Sequence, residues 1–179
     1  METLLEAERK SDTSNSLSQE GKYLTFILCK EEYGLEILKV REIIGIMPIT
    51  PIPQSPNYLK GVINLRGKVI PVIDLRTKFG FQEAEWTKES CIIVVEIRTV
   101  LTGIIVDTVS EVIDISEEEF EPSPHLGSDV DMEIFLGMAK IKDKVKILLD
   151  IGKILNMKGI AALEGLSMVI SNDQEGRNN

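Results

Sequence analysis

The chain has 179 residues, 43% hydrophobic and 27% charged, an ordinary globular composition that fills one compact unit or two small lobes. Its formal net charge of −9 and pI near 4.8 repel phosphate backbones and anionic membrane surfaces, which argues against nucleic acid and lipid as partners. No apolar stretch approaches the roughly 20 residues of a spanning helix, because Glu36, Lys39, Arg41 and Glu42 interrupt the best candidate, so no direct membrane insertion is expected.

Residues 1 to about 20 mix acids with Ser, Thr and Asn, lack the apolar core of a signal peptide, and read as a flexible arm. Strands rich in Val, Ile and Leu are predicted at 23–29, 34–40, 62–65, 68–74, 91–97, 103–108, 112–115, 134–141 and 144–149. Helical signal is confined to 75–79, 151–157 and 160–168, and residues 171–179 read as a disordered tail. In the 35–47 region Leu35, Leu38, Ile43 and Ile46 also fit one helical face. Strand is preferred there because β-branched residues dominate and the alternation changes phase once, as a β-bulge would make it do. Arg66-Gly67 between two apolar runs predicts a tight hairpin with glycine supplying positive φ. Cys29 and Cys91 each lie in an apolar run, which reads as two buried thiols in a reducing cytosol, with a disulfide left open.

An internal repeat organises these elements. Residues 34–46 align without a gap on 103–115, matching Gly34 with Gly103 and Glu42 with Glu111. Residues 61–75 align on 137–151, matching Asp74 with Asp150 and Arg66 with Lys142. The offset grows between the blocks, so the second copy carries the longer loop, the acidic, proline-containing stretch 116–133. Two copies of one five-strand unit are expected, each a small closed barrel.

Catalytic motifs are missing. His125 stands alone in a proline-flanked loop, without an HExxH, a Cys-x-x-Cys or a second histidine, and reads as a surface residue. Residues 61–67 form no phosphate cradle, and there is no GxSxG elbow. Glu117, Glu118 and Glu119 read as a solvated face. Pro48, Pro51, Pro53 and Pro56 contain a polyproline-like spacing but are better explained as stiffening a crossover. No enzyme activity, cofactor or metal is expected.

Specific blocks then stand out: EYGLEILKVREI over 32–43, LKGVINLRG over 59–67, VIPVIDLR over 69–76, VDTVSEV over 106–112 and IGKIL over 151–155. In this order they resemble the CheW family of bacterial chemotaxis coupling proteins, across roughly residues 22 to 165. The resemblance implies an all-β fold of two tandem SH3-like five-stranded β-barrels with short helices. Interlocked subdomains at about 21–85 and 86–150, with short C-terminal helices, would occupy a domain of 21–170. It further implies a non-catalytic cytoplasmic adaptor, recruited to receptor arrays at the inner face of the membrane. Such an adaptor docks transmembrane chemoreceptors (methyl-accepting chemotaxis proteins) to the histidine kinase CheA. In the family the receptor's cytoplasmic tip lies in the groove between barrels, the kinase's regulatory domain contacts barrel edges, and self-association in arrays is allowed.

Carried over by residue, the resemblance points to Val40, Glu42, Ile43, Lys60, Gly61 and Arg66 for receptor and kinase binding, and to Glu121 and Leu126 for a second-barrel contact. Glu121 departs from relatives that carry a basic residue there. Simpler readings stand beside these: Arg66 as an exposed turn residue, Val40 and Ile43 as core, Glu42 and Glu111 as sharing one structural job. Two other functions compete. One is a CheW-like regulatory module of another two-component assembly, which the polar tail after the second barrel disfavours. The other is a ligand-binding barrel, for which convergent polar groups in a pocket would be the sign and against whose nucleic-acid form an aromatic content of only 5% argues.

Overall fold

The computed structural model describes residues 21–122 and 134–154. The expected arm, the tail, the helix at 160–168, His125 and Leu126 lie outside the described residues. Within them the chain runs through β1 (Gly21–Leu28), β2 (Glu31–Glu36), a 3-10 turn (Ile37–Lys39), β3 (Val40–Gly45), β4 (Leu59–Leu65), β5 (Lys68–Asp74) and α1 (Leu75–Lys78). It continues through β6 (Cys91–Ile97), β7 (Val100–Val106), β8 (Thr108–Ile115), β9 (Phe120–Pro122), β10 (Phe135–Ile141), β11 (Lys144–Leu149) and a second 3-10 turn (Ile151–Lys153).

These strands form a six-stranded sheet, ordered β8-β1-β2-β11-β10-β9, and a five-stranded sheet, ordered β3-β6-β7-β5-β4. Each sheet takes a β-hairpin from one sequence copy and its remaining strands from the other. Hairpin β1–β2 sits among second-copy strands, and hairpin β6–β7 sits among first-copy strands. The two parallel contacts are repeat-equivalent: Gly34 faces Leu148 and Gly103 faces Val72. The expected division near residue 85 therefore separates sequence copies and not sheets, because the first hairpin of each copy lies in the sheet of the other copy.

That exchange also corrects the strand expected at 34–40. β2 and β3 belong to different sheets, so the chain turns a corner at Ile37–Lys39 and leaves Leu38 84% exposed. The anticipated bulge follows, as a register shift between Val40 and Glu42 against β6. The stretch expected to be only loop after Ile115 contains β9, which pairs with β10; its first-copy counterpart is the isolated bridge between Thr50 and Val62. Of the helix expected at 151–157, the described part is a 3-10 turn. Cys29 and Cys91 are free and only half-buried.

Three apolar clusters hold the fold. Ile63, Ile70, Val72, Ile92, Val94 and Ile105 fill the five-stranded barrel, and Tyr23, Ile115, Ala139 and Leu148 fill the six-stranded one. The largest cluster joins both sheets, packing Leu24, Phe26, Leu28 and Leu35 against Ile73, Ile93, Ile97 and Ile104. Each such side chain contributes about 1.5–3 kcal/mol on burial, so the two barrels cohere as one body. Equivalent aspartates begin the short helices: Asp74 accepts from Arg76 N at 2.9 Å and Asp150 from Gly152 N at 3.1 Å.

Candidate functional site

Arg66 sits in the β4–β5 turn at φ 51° with Gly67 at φ 85°, the doubly left-handed geometry that matches strand twist. Three other turns, Cys29-Lys30, Arg98-Thr99 and Lys142-Asp143, use the same conformation without glycine. From its turn Arg66 Nη2 donates to Glu42 Oε1 at 2.8 Å and Oε2 at 2.7 Å. Glu42 lies on β3 and Arg66 follows β4, the two edges of the five-stranded sheet, so the pair spans the barrel's open seam. Beside it opens a depression of ≈ 380 Å³, lined by Leu65, Ile70, Val94 and Leu101 together with Arg41 and Lys68.

Along β3 exposure alternates, and the two apolar candidates part company. Val40 is half-buried and packs on the central core, so its first job is structural. Ile43 points outward, 43% exposed, next to Glu42 on an edge strand. An aliphatic side chain and a fixed carboxylate are thus presented together. Leu38, which the sequence offers only as part of an apolar pattern and not as a site residue, lies two residues before Val40 and is more exposed still.

Lys60 reaches Glu83 at 2.8 Å, and its ammonium, mainly through that hydrogen bond, holds the Glu83 carboxyl below its ordinary value. Gly61 is buried at φ +142°, and a Cβ there would lie 2.1 Å from Thr50 O. Its place is explained by the approach of the Thr50 backbone, and it offers no surface to a partner. Glu121 pairs with Lys140 at 2.8 Å across the β9–β10 ladder, in the other barrel. The structure therefore brings Glu42, Ile43 and Arg66 together, leaves Lys60 beside Glu83, and places Glu121 apart.

Two arrangements went unseen in the sequence. Arg76 forks onto Asp107, with Nε 2.6 Å from Oδ1 and Nη2 on Oδ2, while Asp107 Oδ2 also accepts from Cys29 N at 2.9 Å. The hydrogen bond to Asp107 pushes the guanidinium further above its usual value, and burial pushes the Cys29 thiol up. This clamp sits where β7 crosses to β8, and with its two residues far apart in the chain no local motif signals it. The second is Lys146 on β11, whose side chain is 7% exposed and lies 2.9 Å from Glu32 and 3.6 Å from Glu111.

Among the described residues no group of three or more His, Cys, Asp or Glu side chains could hold a metal ion, and no helix is long and apolar enough to cross a membrane. The surface features that stand out are edge strands carrying ordered charges beside exposed aliphatic residues, which suit docking to another protein.

A family model described as CheW-like domain matches residues 22–159. The chain is 36% identical over 146 residues to a chemotaxis protein CheW of Klebsiella aerogenes, covering 82% of this chain and 88% of that one. It is 33% identical over 153 residues to a chemotaxis protein CheW of Helicobacter pylori, covering 83% and 92%. Its structure is similar to the crystal structure of the scaffolding protein TtCheW from Thermoanaerobacter tengcongensis, with a TM-score of 0.71 and 41% identity over 79% of this chain and 96% of that one.

Proposed function

The chain belongs to the CheW family, and from that premise we propose that it is a non-catalytic chemotaxis adaptor that docks transmembrane chemoreceptors to the histidine kinase CheA. The observation that carries this reading is similarity to chemotaxis proteins CheW and to a CheW scaffolding protein over roughly four fifths of the chain. It acts in the cytoplasm, recruited to receptor arrays at the inner face of the membrane, and self-association belongs to the same reading. The receptor tip and the kinase's regulatory domain are its partners.

Arg66, Glu42 and Ile43 form the contact on the five-stranded barrel, with Lys60 flanking it. Val40 and Gly61 shape that surface from below, since Val40 packs on the core and Gly61 admits the Thr50 backbone. Glu121 and Leu126 belong to a contact on the second barrel, and the Lys140 ion pair sets the orientation of Glu121 there. The test is co-purification: the native chain should retain receptor and kinase from the source cell's lysate, and Arg66→Glu should retain much less kinase on receptor-bearing membranes. Recovery of neither partner by the native chain would sink the proposal.

A further inference from the structure

In the six-stranded barrel a buried lysine, Lys146, lies between Glu32 and Glu111, and the repeat counterparts of Lys146 and Glu32 in the other barrel are apolar. The repeat equates Lys146 with Ile70, Glu32 with Leu101 and Thr25 with Val94. In the five-stranded barrel Ile70 and Val94 are buried hydrophobic core. In the six-stranded barrel Lys146 is 5% exposed between two glutamates, Glu32 Oε2 is buried with the Lys146 ammonium 2.9 Å away, and Thr25 is fully buried. The fold thus carries its own control, since isoleucine and leucine fill this place in a barrel of the same topology. Burying charges costs several kcal/mol per ion, and a well-packed apolar replacement is often as stable or more so. Stability alone does not explain the triad.

What Lys146 does that an isoleucine cannot is reach an edge strand. From β11 it extends past β2 and β1 to Glu111 on β8, whose side chain is 63% exposed. The backbone of Glu111 is fixed as well. Thr25, at the bulge of β1, donates through Oγ1 to Glu111 O at 2.8 Å and accepts from Glu111 N at 3.1 Å. The next residue, Val112, is 51% exposed. In the five-stranded barrel the repeat-equivalent residues Glu42 and Ile43 have the same relationship, with Arg66 as the cation. Lys142, the repeat partner of Arg66, is not the ion partner of Glu111; Lys146 fills that role from another position. One arrangement, a fixed carboxylate beside an exposed aliphatic residue on an edge strand, is reached by two different routes.

We infer that Lys146 is a positioning residue that holds the Glu111 carboxylate beside Val112, making the β8 edge a docking surface for a partner segment that carries a cation next to an apolar side chain. The call for a cation comes from Glu111 itself, the exposed carboxylate next to Val112; the depression beside it sets Glu32, Glu111 and Asp114 against Lys142, Lys144 and Lys146 and is balanced overall. Prepaying the order of that carboxylate lowers the entropy lost on binding. The inference rests on the docking function proposed above.

The experiment transplants the apolar pair, as Glu32→Leu with Lys146→Ile, and compares it with Glu111→Gln, an exposed change that spares the interior. Three readings are taken: melting temperature, NMR relaxation of the Glu111 side-chain carbons, and titration with the CheA regulatory domain at low and high salt. The transplant should melt at or above the native temperature, free the Glu111 side chain, and weaken binding about tenfold at low salt, a difference of about 1.4 kcal/mol. Glu111→Gln should weaken binding as much, and both losses should shrink at high salt. A transplant that melts well below native while Glu111→Gln binds like native would make the triad merely structural and overturn the inference. So would a Glu111 side chain equally ordered in native and transplant. Failure of the native chain to bind the kinase domain would count against the adaptor reading instead, and the relaxation comparison would still decide the positioning.

Discussion

Arg66 and Glu42 face each other across the seam of the five-stranded sheet, one guanidinium nitrogen lying 2.8 and 2.7 Å from the two carboxylate oxygens. The Arg66 side chain is 71% exposed, so water screens the pair and its contribution to stability is at most about 1 kcal/mol. A weak staple can still be a good orienter. It fixes Glu42 next to Ile43 and keeps the arginine head near the same spot, ready to exchange its carboxylate for a partner's.

Arg66→Glu should therefore change stability by less than about 1 kcal/mol in urea denaturation, even though it sets two acids face to face. Exchanging the charges, as Arg66→Glu with Glu42→Arg, should restore the ion pair but not kinase recruitment. Recovery of both together would mean that only the pair matters and that the positions of its charges do not.

Gly61 and Gly137 occupy equivalent places under the bridge to Thr50 and under β9. A Cβ at Gly61 would meet Thr50 O at 2.1 Å, and one at Gly137 would meet Glu121 O at 2.3 Å. Neither obstacle is a side chain that can swing away. Alanine at either position should cost at least about 3 kcal/mol, through overlap and a strained φ together. Gly67→Ala should cost only about 1 kcal/mol, because that position has positive φ but open space around it. Chemical denaturation of the three variants separates the two causes.

Tyr23 is 2% exposed, and burial, with smaller help from Glu36 and Asp150, raises its phenol from 10.0 to about 12. Below pH 10 folded and unfolded chains both keep this proton, so it contributes no pH dependence. Between pH 10 and 12 the unfolded chain loses the proton and the folded chain retains it, which favours unfolding. Stability should fall across that window by about 2–3 kcal/mol from this group. Burial raises the Tyr33 phenol as well, so the measurement is the difference in slope between the native chain and Tyr23→Phe. Equal slopes would disprove the assignment.

The repeat was legible because Gly34, Gly103, Asp74 and Asp150 mark places where backbone geometry restricts the residue: close parallel strands and helix starts. The Arg66-Gly67 turn was legible for the same kind of reason. Which sheet each hairpin joins was not, since alternation records that a strand has a buried face and says nothing of its neighbour. The corner at Leu38 followed from that unseen exchange. Lys146 was hidden by a misleading alternation: in Lys144-Val145-Lys146 the valine is exposed and the second lysine is buried. Its partners Glu32 and Glu111 come from two other strands, and their convergence needed three dimensions. Of the site residues, family likeness supplied the names, whereas the internal pairing of Arg66 with Glu42 came only from the coordinates.

The division of labour along β3 gives the sharpest test of docking. Ile43 is 43% exposed, so Ile43→Ala should change stability by no more than about 0.5 kcal/mol. Val40→Ala, which removes packing from the central core, should cost about 1–2 kcal/mol. If β3 carries a contact, Ile43→Ala should weaken binding of a receptor-tip peptide or of the kinase regulatory domain despite leaving the fold intact. Its loss should be nearly the same at low and high salt, because burial of an aliphatic surface is not screened. The loss from Arg66→Glu should be large at low salt and shrink at high salt. Pairwise affinities in the micromolar range, roughly −8 kcal/mol, suit an adaptor that must release as well as hold. Within an assembly the second contact becomes intramolecular, and retention can rise by about 10² or more. A modest pairwise defect in Arg66→Glu should then appear as a severe loss of kinase from receptor-bearing membranes, since the bridge fails when either contact fails. Calorimetric titrations at two salt concentrations, set beside membrane recruitment, check both halves. If Ile43→Ala and Arg66→Glu lose affinity in the same proportion at both salts, the two residues do not make separate apolar and ionic contacts. If neither variant loses any, β3 is not the docking edge.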